Sequence, residues 1–390
     1  VDPHWLKRTN RFWYSYQTSL GRKWYIVDPA KSEKKELFNN DKLAALLTGI
    51  IRDPIDGQHL ELDSLQFVGD ETTIRFQVTS SIDIVIKDTT QRRGAPPRKE
   101  KKKFYFEYNL NTGNITNLTE YRRPLRKATW ASVSPDSSIV LFGRNNNLYW
   151  MDFANYKKAQ VKATDSTIVE HAITTDGVEF YSYHLRTPGE TNVDAEKNKK
   201  ERKPVAVLWS PDGKYFALDR TDQRKVKDLW VINSVAHPRP TLETYKYWMP
   251  GEKDAPIDEL LLFDVATKTS RKLPLSLFKD QSVNIFRKPF VKRERDDDFT
   301  PNIWLGNNKY FYVSRTSRDF KRVDICRVDI ASGQLTPLIE EGLNTYVEFK
   351  SPGLIGDGNE MIHWSERDGW AHFYLYDGQG KLKNQITSEP

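Results

Sequence analysis

Seven histidines, a single cysteine and no Gly-x-Ser-x-Gly are what this chain offers for catalysis. A serine hydrolase needs its nucleophile on a strained turn, with a histidine base and an acid to orient it. None of the 20 glycines begins that pattern. His184 and His363 fall in strand-like runs and His237 precedes Pro238 in a loop-like segment, so they read as structural or surface residues rather than bases. Cys326, in "VDICRVDI", is the only cysteine; that excludes an intramolecular disulfide or a multi-cysteine zinc site, and its strand-like setting suits a small buried apolar residue. No His-x-x-x-His or carboxylate spacing suits a metal. The acids of "RERDDDF" (293–299) are flanked by bases and read as a solvated, self-paired loop. No glycine-rich phosphate loop opens a helix. The residues therefore predict no cofactor and no metal, and a chain that is not by itself a complete enzyme.

What the sequence does supply is repetition. "WASVSPDSSIVLFGRNNNLYWMD" (130–152) is an apolar run, a Ser-Pro-Asp turn, a second run, a polar turn and a third run ending in Asp. "VLWSPDGKYFALD" (207–219) repeats its first half, and segments 303–338, 355–386, 11–37 and 65–118 keep the order with altered turns. Alternating strands joined by Asn/Asp/Gly turns signal hairpins. Four short strands per unit, recurring along the chain, predict an all-β fold, a β-propeller of four-stranded antiparallel blades. Six to seven units are expected within one domain spanning 1–390, with a β-sandwich array as the structural alternative. Residues 169–185 look like the start of a separate unit, and 221–256 like an insertion whose "KVKDLWVIN" and "ETYKYWM" pair as strands. One helix is predicted, 40–50, with Leu43, Leu46, Leu47 and Ile50 at helical spacing.

Composition agrees. Aromatic residues are 12% of the chain, and Gly and Pro number 20 each, which favours pleated surfaces and turns. The net charge of +7 comes from 60 bases and 53 acids, interspersed, and no zinc spacing, RNP-like sequence or basic helix accompanies it, so nucleic acid is not an expected partner. The basic stretches 92–103 and 197–203 read as solvated loops. No apolar run is long enough to span a membrane, and the opening "VDPHWLKRTN" does not read as a signal peptide, so any targeting segment is expected to lie outside this sequence. The chain begins without Met and stops at "NQITSEP", just after a last strand, so a processed piece of a longer protein is expected.

The repeats, the "ETYKYWMPGEKDAP" loop before "IDELLLFDVATKTSRKL", and "IHWSERDGWAHFYLYDGQGKLKNQIT" together resemble the N-terminal β-propeller of dipeptidyl peptidase IV-like enzymes of bacterial type, in the prolyl oligopeptidase family. The resemblance covers most of the chain from about residue 62. It implies an eight-bladed propeller, incomplete here, that shapes a cavity and positions peptides over a Ser-Asp-His triad in an α/β-hydrolase domain beyond residue 390. It also implies that Arg123, beside Arg122 and 11 positions before Ser134, binds substrate carbonyl or carboxylate oxygens. The family's paired glutamates, which hold the substrate's free amine, fall on Asn198 and Lys199; Glu196 and Glu201 flank them, and an alternative register brings one of these into place. Tyr245, Tyr247 and Trp248 line the entrance or a homodimer contact on this reading. The implied parent is a serine-type peptidase acting on peptide substrates in the periplasm or outside the cell. The alternative function is a free-standing, TolB-like propeller that docks a protein or peptide.

Overall fold

Short strands separated by polar turns pair most cheaply with their neighbours in sequence, because a hairpin closes only a small loop. The computed structural model shows that pairing; it describes residues 2–6, 8–86, 98–121, 125–186, 190–289 and 301–388. The chain is all-β: six four-stranded antiparallel sheets, the blades of a β-propeller, succeed one another in sequence order. The described residues fall into two compact units, one within 1–126 and the other within 127–390.

The first unit holds blades 1 and 2. Blade 1 is centred on Phe12–Thr18 and Gly21–Asp28, and blade 2 on the long strands Thr73–Ile86 and Arg98–Asn109. Helix α1 (Asn40–Ile51) lies between them in sequence, capped by Asn39, whose Oδ1 accepts the Lys42 N–H at 2.9 Å. Its buried stripe is Leu43, Ala44, Leu47 and Ile51, packed with Trp13, Trp24, Phe76 and Phe106, whereas Leu46 and Ile50 stay exposed on the flank. The lysines at 99–103 are not in a loop: they lie on a blade 2 strand that continues past the sheet as a two-stranded ribbon, whose faces both reach water.

The second unit holds blades 3 to 6. Ser210 and Ser134 turn their chains by the same device. The Ser210 hydroxyl donates to Asp212 Oδ1 at 2.8 Å and accepts the Tyr215 N–H at 3.0 Å; Ser134 does the same with Asp136 and Ile139 at 2.6 and 3.1 Å. Gly213 sits at φ +71, and a Cβ there would lie 3.2 Å from Pro135 Cδ, so the turns of blades 3 and 4 abut. Between blades the packing is aromatic: Trp209, Phe216 and Phe263 stack in the core shared by blades 3 and 4, and the Trp209 indole N–H donates to Ser132 Oγ at 3.1 Å. Cys326 is fully buried in a blade 5 strand, and burial pushes its thiol up to about 12, so it is an inert apolar contact.

Blade 4 is interrupted. Its second strand (Tyr215–Asp222) and third (Ile257–Asp264) pair directly, while a separate hairpin, Asp228–Asn233 with Thr241–Lys246, is inserted between them. The expectation of a new unit at 169–185 is not met. His171–Ala172 completes blade 3 as its outer strand, and the chain from there to blade 4 is irregular, because its tyrosines and charges serve side-chain contacts in place of a ladder. Two helices lack an apolar stripe and escaped the periodicity reading: α2 (Phe153–Val161), capped by Asp152, and the short α3 (Asn192–Lys197), capped by Thr191.

Candidate functional site

The irregular crossing from blade 3 to blade 4 builds a concavity in the second unit. It begins in a tight turn in which Val178 and Tyr181 bridge and Phe180 adopts φ +61, a conformation that costs a bulky side chain about 1–2 kcal/mol. The turn is held from blade 4 by the Gln223 N–H, which donates to the Phe180 carbonyl at 2.9 Å. His184 then packs so tightly on blade 3 that a Cβ on Gly143 would lie 2.2 Å from its own Cβ.

Arg220 anchors this loop. Phe216, Leu218 and Arg220 alternate on one face of their strand, so the arginine is placed in phase with core residues and only 5% of its side chain is exposed. Directly across the sheet stands Glu259, in phase with Leu261 and Phe263. Arg220 reaches Asp176 at 3.0 Å and Glu259 at 3.3 Å, donates to the Tyr181 hydroxyl, and lies 3.5 and 4.3 Å from the ring centres of Tyr181 and Tyr183. Tyr181 donates to Glu259 at 2.7 Å, Tyr183 to Asp176 at 2.8 Å, and Lys272 to Glu259 at 2.6 Å. Burial would raise both carboxyls, but these partners outweigh it and hold them below the usual carboxylate range. Burial and the Glu259 acceptor push Tyr181 up to about 12, so it remains a donor at neutral pH.

Above this anchor lies a cavity of about 350 Å³, large enough for a ligand of dipeptide size. Phe180, Leu185, Ala206 and Leu218 give it an apolar side; α3, Lys203 and Tyr245 of the inserted hairpin contribute the rest. The hairpin is tied to α3 by Asn192, whose amide donates to Thr244 Oγ1 at 3.0 Å. Most charged groups of the wall are already paired. Lys203 holds Glu190 at 2.6 Å in an almost fully buried pair, Lys199 holds Glu196, Arg186 reaches Glu179 at 3.8 Å, and Lys246 reaches Asp228 at 3.2 Å. Burial lowers His184, whose Nδ1 faces the Leu185 carbonyl at 3.1 Å; the ring is therefore neutral and its Nδ1 carries the proton. Among the described residues no three His, Cys, Asp or Glu side chains converge as a metal site.

The residues singled out in the sequence meet this cavity unevenly. Tyr245 lines it; Tyr247, 6.3 Å from Tyr245 ring to ring, does not. Trp248 turns away, its indole N–H on the Glu252 carbonyl at 3.1 Å and Arg318 of the second unit 3.4 Å over its ring. Lys199 and Glu196 are both in the wall, joined to each other, while Glu201 is exposed and outside it. Arg122 and Arg123 lie outside the described residues, as does 293–299. Lys203, at the end of the basic stretch 197–203, is not solvated but buried, since Glu190 neutralises it. The residues missed are Asp176, Tyr181, Tyr183, Arg220 and Glu259. Period-two reading of "FALDR" and "ELLLF" marks Arg220 and Glu259 as charges in core phase; nothing local marks the loop residues.

The model of the dipeptidyl peptidase IV (DPP IV) N-terminal region matches residues 87–182 and 199–390. The probable dipeptidyl-aminopeptidase B of Sordaria macrospora is 25% identical over 232 residues, 58% of this chain and 22% of that protein. That of Ajellomyces dermatitidis is 26% identical over 325 residues, 81% of this chain and 32% of that protein. The chain thus spans about a third or less of the length of these relatives. Among solved structures, Porphyromonas gingivalis dipeptidyl peptidase 4 covers 99% of the chain with a TM-score of 0.51 at 18% identity, the chain in turn covering 46% of it. A putative dipeptidyl aminopeptidase IV from Bacteroides ovatus gives a TM-score of 0.50 at 14% identity, over 98% of this chain and 46% of that one. Those two likenesses speak for the fold, and the family model, matching well over half of the residues, speaks for descent: this chain belongs to the dipeptidyl peptidase IV N-terminal region family.

Proposed function

We propose that the chain is the non-catalytic propeller of a dipeptidyl peptidase IV-like serine peptidase, and that it admits and positions peptides for an α/β-hydrolase domain of the same protein. The observation that carries the reading is the family match across blades 3 to 6 together with a dipeptide-sized, mixed apolar and charged cavity in that region. Arg123 and Arg122 are proposed to hold substrate carbonyl or carboxylate oxygens, a task for which a guanidinium fork is suited. Tyr245 is proposed to face the bound peptide. Asn198 and Lys199 stand where a paired-glutamate amine site is expected, and the Lys199–Glu196 pair leaves Glu196 neutralised, so the free amine is not assigned to these residues.

A homodimer through the inserted hairpin is part of the proposal. Trp230, Ile232, Val235 and Leu242 are all more than half exposed on a hairpin whose strands pair only with each other, and such a run of apolar surface calls for a partner. The setting proposed is periplasmic or extracellular.

The test is hydrolysis of alanyl-prolyl-p-nitroanilide. The 390-residue chain is expected to leave it intact, and a polypeptide carrying the chain ahead of its hydrolase domain to cleave it. Cleavage by the 390-residue chain alone, or a parent gene encoding no hydrolase domain, overturns the proposal.

A further inference from the structure

A second cleft, of about 650 Å³, lies between blades 5 and 6, where the first and second strands of each blade turn, the end that carries the Ser-Pro-Asp turns of blades 3 and 4. One wall belongs to blade 5. Its second strand (Tyr310–Thr316) and third (Arg322–Asp329) pair so that Tyr312 stands directly opposite Arg327, which puts both side chains on one face. That face is turned to blade 6, since Tyr312 and Ile325 share a core with Met361, Tyr374 and Tyr376. Arg327, two positions after Ile325, is therefore a charge in core phase. The facing wall is bare backbone: Gly358 has φ +95, and a Cβ there would lie 2.6 Å from the Tyr312 hydroxyl.

Arg327 donates through Nη1 to the Gly378 carbonyl at 2.9 Å and lies 4.6 Å from the Tyr310 ring centre, contacts that fix its plane; among the described residues no carboxylate pairs with it. Tyr312 is only 3% exposed and lines the cleft, yet no hydrogen bond from the described residues reaches its hydroxyl. We propose that this cleft binds a carboxylate-bearing ligand, with the carboxylate held between the free edge of the Arg327 guanidinium and the Tyr312 hydroxyl. The Nε and Nη2 edge matches two carboxylate oxygens, and a buried hydroxyl without an acceptor costs free energy until one arrives. Burial raises Tyr312 further above neutral pH, so it stays a donor. Charge selects a monoanion. Lys309 adds a second cation to the cleft, but Asp357, which accepts from Asn307 at 3.2 Å, and Asp377, which holds the Gln379 and Lys381 N–H groups at 2.9 Å each, would repel a dianionic phosphate. Asn359 and Gln379 offer neutral donors and acceptors to the polar remainder of the ligand. The inference does not depend on the peptide-handling role proposed above.

Two sources carry the same group, an acidic side chain of a peptide and a sugar acid. Binding to the 390-residue chain is therefore measured by ligand-observed NMR titration with N-acetyl-glutamate α-amide and methyl glucuronoside, with their neutral counterparts N-acetyl-glutamine amide and methyl glucoside, and with inorganic phosphate. At least one carboxylate is expected to bind about tenfold or more tightly than its neutral counterpart, the size of a charge-assisted contact. Which of them it is identifies the source. Arg327→Gln is expected to abolish the difference. Tyr312→Phe keeps the ring and its packing, so it carries the test should Arg327→Gln fold poorly; it is expected to weaken carboxylate binding about fivefold or more, with a thermal midpoint at or above that of the unsubstituted chain. No preference for either carboxylate, a preference that survives Arg327→Gln or is unchanged in Tyr312→Phe, or tighter binding of phosphate than of both carboxylates overturns the proposal. A lower midpoint in Tyr312→Phe also overturns it, by showing that the hydroxyl already has a partner in the protein.

Discussion

Replacing Arg220 by Met tests whether the cavity floor is held by charge. Met fills much of the arginine stem's volume, so the loss is chiefly electrostatic. The Arg220–Glu259 contact is buried on both sides, with 5% and 10% of the side chains exposed, and breaking such a pair costs about 3 kcal/mol, lessened here because Lys272 still holds Glu259. Asp176 is 56% exposed, so its pair with Arg220 adds about 0.5 kcal/mol after screening. Loss of the guanidinium from between the Tyr181 and Tyr183 rings adds about 1–2 kcal/mol. Arg220→Met is therefore expected to lower stability by about 3–5 kcal/mol at pH 7, read from urea unfolding. The sign of the pH dependence follows from the carboxyls. Asp176 and Glu259 sit below their unfolded values, so the stability they contribute is complete above the ordinary carboxylate range and is lost as pH falls through their lowered folded values. The gap between the two proteins is thus full at pH 7 and narrows below about pH 4. A gap under about 1 kcal/mol, or one that does not change between pH 7 and pH 3, would refute the reasoning.

Two other expectations come from different parts of the chain. Trp230→Asp with Ile232→Asp is expected to convert a dimer to a monomer in sedimentation velocity at unchanged thermal midpoint, since both side chains project from the hairpin into solvent within one protomer; unaltered sedimentation counts against the hairpin as the contact. Glu341 is buried between blades 5 and 6, where it meets His363 Nε2 at 2.5 Å and accepts from Ser365; burial would raise it, but these contacts hold it below the usual range. Glu341→Gln is expected to cost about 2–3 kcal/mol at neutral pH and to flatten the acid limb of the stability curve, because the wild-type contribution disappears as pH falls through the lowered folded value.

The Ser-Pro-Asp turns were legible because one serine and one aspartate satisfy the turn's own backbone, a local device repeated at Ser134 and Ser210. The same locality exposed the blade order and the inserted hairpin strands. The cavity was not legible in this way. Its floor joins Asp176 to Arg220 and Tyr181 to Glu259, residues separated by 44 and 78 positions, and no period or turn signal connects them. Helix α2 escaped for a related reason: it is announced by its Asp152 cap rather than by an apolar stripe. Counting back from Ser210 reaches Lys199, which lies in the cavity wall, but nothing local in the sequence shows that Glu196 pairs with it.

The proposed peptide-handling role requires that a peptide sit in the cavity. A glycyl-dipeptide amide whose second residue carries a diazirine, irradiated with the 390-residue chain and mapped by mass spectrometry, tests this directly. Labels are expected on 179–186, 195–206 and 245–246, the segments that meet at the cavity, and are expected to be displaced by unlabelled glycyl-phenylalanine amide. Saturable labelling confined to other segments, or no saturable labelling, would contradict the account.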